Sequence, residues 1–279
     1  MTTALELPAL ALFAALLAVT FLMCGRRLAL AVAAGALLPI AAATATTAAA
    51  FGTPWPAHVL GATEWYRFTG SYWSSPIGID AGEASTWRYA FHLLVGHHGL
   101  FSLTPFLLFG VAGIALAQRT SIPPAERRAR LIVFGAVAFA LTAAILGDFA
   151  ILPTCFASGA AVLLVPPWWR DPLRTGEMHA RITAALLVTV VPFYIDSSST
   201  YGGITSFPRW FIWLTPGLYM LAPLGLARMR GGIVSAVLIA LALALSAVSA
   251  WTPGVNPFVH PWLLRERPAV GDVAAPVQG

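Results

Sequence analysis

The chain has 279 residues, of which 58% are hydrophobic and only 10% are charged. A soluble domain usually carries about 25% charged residues, so this composition excludes an ordinary water-soluble fold and favours a chain whose apolar surface faces lipid. The net charge of +5 does not indicate a nucleic-acid partner, because the arginines form short clusters between apolar runs, where membrane topology accounts for them.

A hydrocarbon core about 30 Å thick needs roughly 20 apolar residues of helix to cross it. The sequence therefore predicts an all-α, polytopic transmembrane helix bundle with about eight spans, or seven if the short fifth segment is re-entrant. Residues 1–265 are interpreted as one transmembrane domain and residues 266–279 as an irregular tail. The predicted spans are Leu5–Cys24, Leu28–Phe51, Leu100–Ala117, Leu131–Ala150, Pro153–Val165, Ile182–Ile195, Trp210–Ala227 and Ile233–Trp251.

The distribution of arginine predicts the orientation of the bundle. Most of the arginines fall in alternate connections between the spans, and the positive-inside rule places those connections in the cytoplasm. Both termini and the long connection 52–99 are then outside. The expected location is the inner membrane of a bacterium.

The connection 52–99 is the least apolar part of the chain. Within it, Ala84–His97 is predicted to be a helix that lies in the membrane interface, because Trp87, Phe91 and Val95 recur at a spacing of four residues. Its polar side chains are candidate site residues. An ordinary solvated loop with a few structural ion pairs would contain the same residue types.

Asp80 and Glu83 form a D-x-x-E pair just before this predicted helix. Two carboxylates at this spacing can serve in acid/base chemistry or hold a cation. They also suit the N-terminus of a helix, where acids interact with free N–H groups and with the helix dipole. Capping is the favoured interpretation.

His97 and His98 are adjacent at the end of the predicted interfacial helix. Adjacent histidines can bind phosphate or shuttle protons, and they are equally suited to a membrane boundary. The spacing of cysteine and histidine along the chain does not resemble a metal-binding motif. The sequence therefore predicts neither a metal nor a cofactor.

Tyr201, Gly202 and Gly203 precede Arg209 at the start of the seventh predicted span. Paired glycines allow a backbone to turn tightly or to approach a ligand closely. An arginine at the end of a span suits a phosphate held at headgroup depth, and it also suits ordinary lipid headgroups.

Several segments together, in the same order along the chain, resemble the C-terminal half of GT-C glycosyltransferases, multi-span enzymes that use polyprenyl- or dolichyl-phosphate sugars. Ala50–Pro54 resembles the FGSP that ends a span, Gly99–Pro105 resembles the GLFxxSP that opens one, and Tyr201–Pro216 resembles the YGGxxxGPRxLxxLxP element. The combination of GIDAGE, FHLLVGHHGLFSLTP and NPFVHPWL is similar to uncharacterised bacterial membrane proteins of the same superfamily. The resemblance covers roughly residues 50–262.

This resemblance implies a membrane glycosyltransferase, or its lipid-phosphate-binding half, that uses a polyprenyl-phosphate sugar donor on the outer face of the membrane. The D-x-x-E pair would supply the base for the acceptor hydroxyl, and Arg88, Arg209 and the histidine pair would stabilise the leaving phosphate. Tyr201, Gly202 and Gly203 would help to bind that phosphate.

One departure from the family keeps alternatives open. The acidic catalytic loop that GT-C enzymes usually carry in their N-terminal half has no counterpart in this sequence. The chain is therefore expected to work with a separate N-terminal half, or to be a non-catalytic membrane subunit of a cell-envelope assembly complex. A transporter is disfavoured, because no ionisable residue lies in the middle third of a predicted span.

Overall fold

The computed structural model describes residues 7–54, 68–69, 82–117, 124–146, 150–164, 175–198, 201, 209–227, 229 and 231–255. Throughout these residues the regular elements are helices, and a 3-10 turn, Arg209–Phe211, lies between α8 and α9. The helices are α1 (Leu7–Cys24), α2 (Arg26–Phe51), α3 (Thr86–Leu94), α4 (Leu100–Leu103), α5 (Leu107–Ala117), α6 (Pro124–Leu146), α7 (Ile151–Leu164), α8 (Thr175–Ser197), α9 (Thr215–Leu226) and α10 (Ile233–Val255).

Within the described part of the chain, four helices are long and apolar enough to cross a membrane, namely α2, α6, α8 and α10. The helices α1, α5 and α7 are apolar but contain shorter apolar stretches. The predicted all-helical class is therefore confirmed, and the apolar helices indicate a membrane-embedded protein. The count of eight spans and the outward-facing termini stay predictions. The tail 266–279 and most of the connection 52–99 lie outside the described residues.

Two predicted spans are interrupted in the structure. The third breaks at Thr104, between α4 and α5, because a residue that precedes a proline is forced out of the helical region, and Thr104 has ψ of 70°. The seventh begins as a 3-10 turn, and its α-helix starts only at Thr215, with Pro216 in the first turn. The apolar runs predicted both segments, but not the position of either break.

Helix α8 is the centre of the bundle. It contacts α1, α3, α5, α6, α7, α9 and the 3-10 turn. Of its apolar stretch 56% is buried inside the protein, against 6% for each of α2 and α10. Those two helices expose apolar side chains on most of their surface, as helices in contact with lipid do.

Close backbone packing fixes α5 against α9. A Cβ atom at Gly110 would overlap the backbone oxygen of Leu218, and one at Gly113 would overlap that of Leu221. Small residues at a helix interface let backbones approach in this way, which gives van der Waals contact that lipid cannot supply. The pair therefore provides a rigid support for the segments that precede both helices.

A buried ion cluster lies at the N-terminal end of α8. Glu177 Oε1 accepts hydrogen bonds from Arg130 Nη2 at 2.8 Å and from Arg181 Nη2 at 2.9 Å. Arg181 Nη1 also donates to the carbonyl of Val162 in α7 at 3.3 Å. We call Arg130, Glu177 and Arg181 the Glu177 cluster. The sequence predicted these residues to be charges of the cytoplasmic connections, whereas the structure buries them between α6, α7 and α8.

Candidate functional site

The turn before α3 determines where Glu83 points. Gly82 has φ of 83°, in the left-handed region that favours glycine, and Glu83 follows it directly. The N-cap of α3 is Ser85, whose hydroxyl accepts a hydrogen bond from the backbone N–H of Arg88 at 3.3 Å. Capping as the role of Glu83 is therefore wrong, because the serine takes that position and the Glu83 carboxylate contacts other parts of the chain.

The Glu83 carboxylate joins segments that are far apart in sequence. Tyr201 Oη donates a hydrogen bond to Glu83 Oε1 at 2.8 Å. His97 Nε2 lies 3.5 Å from the same oxygen, and Arg88 Nε lies 3.7 Å from Oε2. The Glu83 side chain is 17% exposed and that of Arg88 is 62% exposed. The carboxylate is therefore held from the protein side while one edge of the group still meets solvent.

Three histidines pack around this carboxylate. The rings of His92 and His97 are stacked with centroids 4.0 Å apart, and His97 Nδ1 lies 2.7 Å from His98 Nδ1. One of the two Nδ1 atoms must donate and the other accept. A neutral His97 that directs its Nε2–H toward Glu83 accepts at Nδ1, so His98 is then the donor. His98 is fully buried and stacks on Tyr201 at 4.6 Å.

We call Glu83, Arg88, His92, His97, His98 and Tyr201 the Glu83 cluster. It lies at the C-terminal end of α8, because Tyr201 follows that helix closely and α3 packs against it.

Two tyrosines in this region keep their protons at neutral pH. Burial raises the pKa of Tyr89 to about 12, although a hydrogen bond with Ser198 opposes the shift. Burial, together with the neighbouring Glu83 carboxylate, raises the pKa of Tyr201 well above its ordinary value. The Tyr201 phenol is therefore a hydrogen-bond donor to Glu83 over the whole physiological range.

The structure brings together the predicted site residues Glu83, Arg88, His97, His98 and Tyr201. Asp80, Gly202 and Gly203 lie outside the described residues, and so does the side chain of Arg209, whose backbone forms the start of the 3-10 turn. The expected convergence of Arg209 and Asp80 with the histidines stays a prediction.

His92 is a member of the cluster that was one of the polar candidates of the connection 52–99 but was given no role from the sequence. The donor atoms of Glu83, His92 and His97 all lie within 4.8 Å of one another, so these residues could hold a metal ion. In a regular helix, residues five apart point about 140° away from each other. The two rings can stack because α3 ends at Leu94 and the chain then turns back, which places the His97 ring against that of His92. A helical pattern alone cannot show this.

Comparisons of the chain with known protein families, curated proteins and solved structures found no match. Its function is therefore inferred from the side chains of the Glu83 cluster and from the motifs that resemble GT-C enzymes.

Proposed function

We propose that the chain is a membrane glycosyltransferase of GT-C type, or the lipid-phosphate-binding half of one, which uses a polyprenyl-phosphate sugar on the outer face of the membrane. The main support is the 2.8 Å hydrogen bond between Tyr201 Oη and Glu83 Oε1. It joins two segments that carry the resemblance, GIDAGE and the start of YGG, and His97 of the GHHGLF segment lies beside them.

In the proposed reaction, an acceptor hydroxyl attacks the anomeric carbon of the sugar. The bond between that carbon and the phosphate oxygen breaks, and polyprenyl phosphate leaves. Glu83 takes the hydroxyl proton, with Asp80 as the other carboxylate proposed for this step. Tyr201 orients the Glu83 carboxylate by its hydrogen bond. His97 Nε2, 3.5 Å from the carboxylate, can take the proton from Glu83 in the tautomer that carries its proton on Nδ1.

The cations proposed to bind the donor phosphate are Arg88 and Arg209. Arg88 is anchored beside Glu83 through Nε, and its largely exposed guanidinium group can present the remaining N–H donors to a phosphate. Arg209 begins the 3-10 turn that leads into α9. A phosphate at headgroup depth would lie between these side chains and the carboxylate.

The proposal is tested with the purified chain in liposomes that contain a radiolabelled polyprenyl-phosphate sugar. We measure donor binding and donor consumption, with water and simple sugars as acceptors. Glu83→Gln is expected to lower consumption by about a hundredfold to ten-thousandfold, which is the usual contribution of a general base. Asp196→Asn is the matched control, because Asp196 is an exposed acid at the same end of α8 and outside the cluster.

The two measurements separate the two forms of the proposal. Donor binding without consumption would identify the chain as the lipid-phosphate-binding half. It would also direct the assay to a second polypeptide that supplies the acceptor side. A wild-type chain that neither binds nor consumes the donor would rule the proposal out, and an equal loss in Asp196→Asn would remove Glu83 from the mechanism.

A further inference from the structure

A carboxylate and two imidazoles meet within one short stretch of chain. Glu83 lies in the turn before α3, His92 lies in the last turn of α3, and His97 lies in the turn that follows. Their donor atoms are all within 4.8 Å of one another. Two imidazole nitrogens and one carboxylate oxygen are a ligand set of open zinc sites, in which a fourth position remains for water or substrate.

We propose that Glu83, His92 and His97 bind a divalent transition-metal ion of the zinc class. This inference rests on the three side chains and not on glycosyl transfer. Imidazole ligands favour Zn²⁺ and its neighbours in the first transition row over Mg²⁺ or Ca²⁺, which prefer oxygen ligands only.

The groups around the three residues form the outer shell that such a site needs. His97 uses Nδ1 in its contact with His98, which leaves Nε2 on the side of Glu83. Tyr201 donates to the Glu83 carboxylate, as partners of metal-bound carboxylates do. For Nε2 to bind a metal, His97 must take the tautomer in which Nδ1–H donates to His98 Nδ1, the reverse of the one in which Nε2–H faces Glu83.

A separate observation on His92 also points to a ligand. Its Nδ1 atom is buried, and among the described residues it has no hydrogen-bond partner. Leaving a buried nitrogen without a partner is unfavourable, because the atom loses its hydrogen bonds to water and gains none in return. The ring lies directly over Gly96, where any Cβ atom would overlap Nδ1. Coordination through Nδ1 would give this nitrogen the polar partner that the described residues do not supply.

Metal binding requires a small rearrangement. Donors at about 2.1 Å from a tetrahedral metal lie roughly 3.4 Å from each other. The stacked rings of His92 and His97 are inclined by only 24°, so their in-plane lone pairs lie in nearly parallel planes about 4.0 Å apart and do not meet at one point. The rings must turn toward each other to share an ion. His97 can make this movement because it follows the end of α3, and the expected consequence is loss of the ring stack.

The experiment uses the full-length chain without an affinity tag, in detergent, after removal of metals with a chelator. Zn²⁺ binding is measured by calorimetry, and Co²⁺ is added as a spectroscopic probe. The expected result is about one equivalent bound per chain, with the visible absorption of a four- or five-coordinate Co²⁺ site. Glu83→Gln and His92→Ala should each weaken Zn²⁺ binding by more than about a hundredfold, because even outer-shell partners usually contribute 10–100-fold.

Further variants test whether Zn²⁺ binds at the Glu83 cluster and not elsewhere on the chain. His179→Ala removes a histidine of α8 outside the cluster and should leave binding unchanged. Tyr201→Phe should weaken it by about tenfold to a hundredfold. If His92→Ala proves unstable in thermal unfolding, His92→Gln replaces it. Equal Zn²⁺ affinity of the wild type and the His92 variant would overturn the proposal, and so would a preference for Mg²⁺ or the spectrum of hydrated Co²⁺.

The experiments can contradict the metal-site proposal and the proposed function independently. A chain that binds Zn²⁺ at this cluster but neither binds nor consumes a polyprenyl-phosphate sugar keeps the site and loses the transferase. A chain that consumes the donor but binds no Zn²⁺ keeps the transferase and loses the site.

Discussion

One carboxylate lies at each end of α8, and the two have different surroundings. Glu177, at the N-terminal end, contacts two arginines at 2.8 and 2.9 Å, and its side chain is only 4% exposed. Glu83, at the C-terminal end, has one short contact with Tyr201 and longer ones with His97 and Arg88, and its side chain is 17% exposed. Both are acids beside arginines, yet only Glu83 still presents an accessible oxygen edge.

The separation of the clusters fits a membrane-crossing helix. Residues 177 and 197 are about 30 Å apart along α8 at 1.5 Å per residue, which is close to the thickness of a hydrocarbon core. A closed, buried ion pair can hold α6, α7 and α8 together, whereas an accessible carboxylate surrounded by histidines can react or bind. Burial and contact length therefore distinguish a structural acid from a candidate catalytic one, where residue type does not.

The largest expected effect is on stability and lies at the Glu177 cluster. Glu177→Ala leaves two buried arginines without their carboxylate, and breaking a buried pair in this way typically costs about 3–5 kcal/mol. We expect the free energy of unfolding to fall by that amount, measured by denaturant titration in detergent. Glu83→Ala is the comparison variant and should lower it by only about 1–3 kcal/mol, the usual cost of leaving a buried donor such as the Tyr201 hydroxyl without its acceptor. Equal losses in the two variants would abolish the distinction between the clusters.

The next effect is on binding, at Arg209. A charge-assisted hydrogen bond between arginine and phosphate contributes about 1.5–3 kcal/mol. Arg209→Ala should therefore weaken the binding of polyprenyl phosphate by roughly tenfold to a hundredfold, measured by flotation of liposomes or by fluorescence quenching. Arg128→Ala, an exposed arginine near the Glu177 cluster, is the matched control. An identical loss in that control would indicate general attraction to anionic lipid.

A smaller effect is expected at Tyr201. Tyr201→Phe removes one hydrogen bond to Glu83, which is a net loss of about 0.5–1.5 kcal/mol of stability. The effect should also depend on pH. Because the pKa of the Tyr201 phenol is raised in the folded protein, its contribution is fully present below pH of about 10 and is lost as pH rises further.

The measurement for Tyr201 is thermal unfolding between neutral and alkaline pH. Wild-type stability should decline above the pKa of an unfolded tyrosine, and the decline should be shallower in Tyr201→Phe. Tyr89, whose pKa is raised to about 12, accounts for the part of the decline that remains. A phenylalanine variant with an unchanged alkaline slope would show that Tyr201 is not the titrating group.

The smallest expected effect is on stability at Arg88. Its side chain is mostly exposed and 3.7 Å from Glu83, so the ion pair should contribute about 0–1 kcal/mol. Arg88→Ala is therefore expected to unfold like the wild type while weakening the binding of the lipid phosphate. A large loss of stability in denaturant titration would place Arg88 with the structural arginines at the other end of α8.

Long, uninterrupted apolar runs were the most predictable part of the fold. The last predicted span and α10 both begin at Ile233, where the apolar run begins. The second predicted span and α2 both end at Phe51, because Gly52 takes the left-handed conformation that ends the helix. Helix α8 begins seven residues before the predicted sixth span, at Thr175. The sequence rule that excludes charges from a span could not anticipate that Glu177 and Arg181 neutralise each other inside the bundle.

Part of the candidate site was also predictable from the residue types. Glu83, His97 and Tyr201 were predicted as site residues because they lie in polar segments outside the spans, and these segments do meet. The role of His92 was not predictable, since it depends on the turn that ends α3. The capping role of Ser85 was not predicted, because the acids that precede it are also residue types that suit a helix N-terminus.

Trp87 and Phe91 on one face of α3, and Val95 directly after the helix, are exposed, while Tyr89 and Leu93 on the same helix are buried. In a membrane protein, an aromatic stripe on a short helix lies at the boundary between headgroups and acyl chains. The helix would then fix the depth of the Glu83 cluster relative to the bilayer. The proposed lipid-anchored donor would diffuse at that same depth, so its search for the cluster would be confined to two dimensions, and the encounter rate would follow its surface density in the leaflet rather than its concentration in solution.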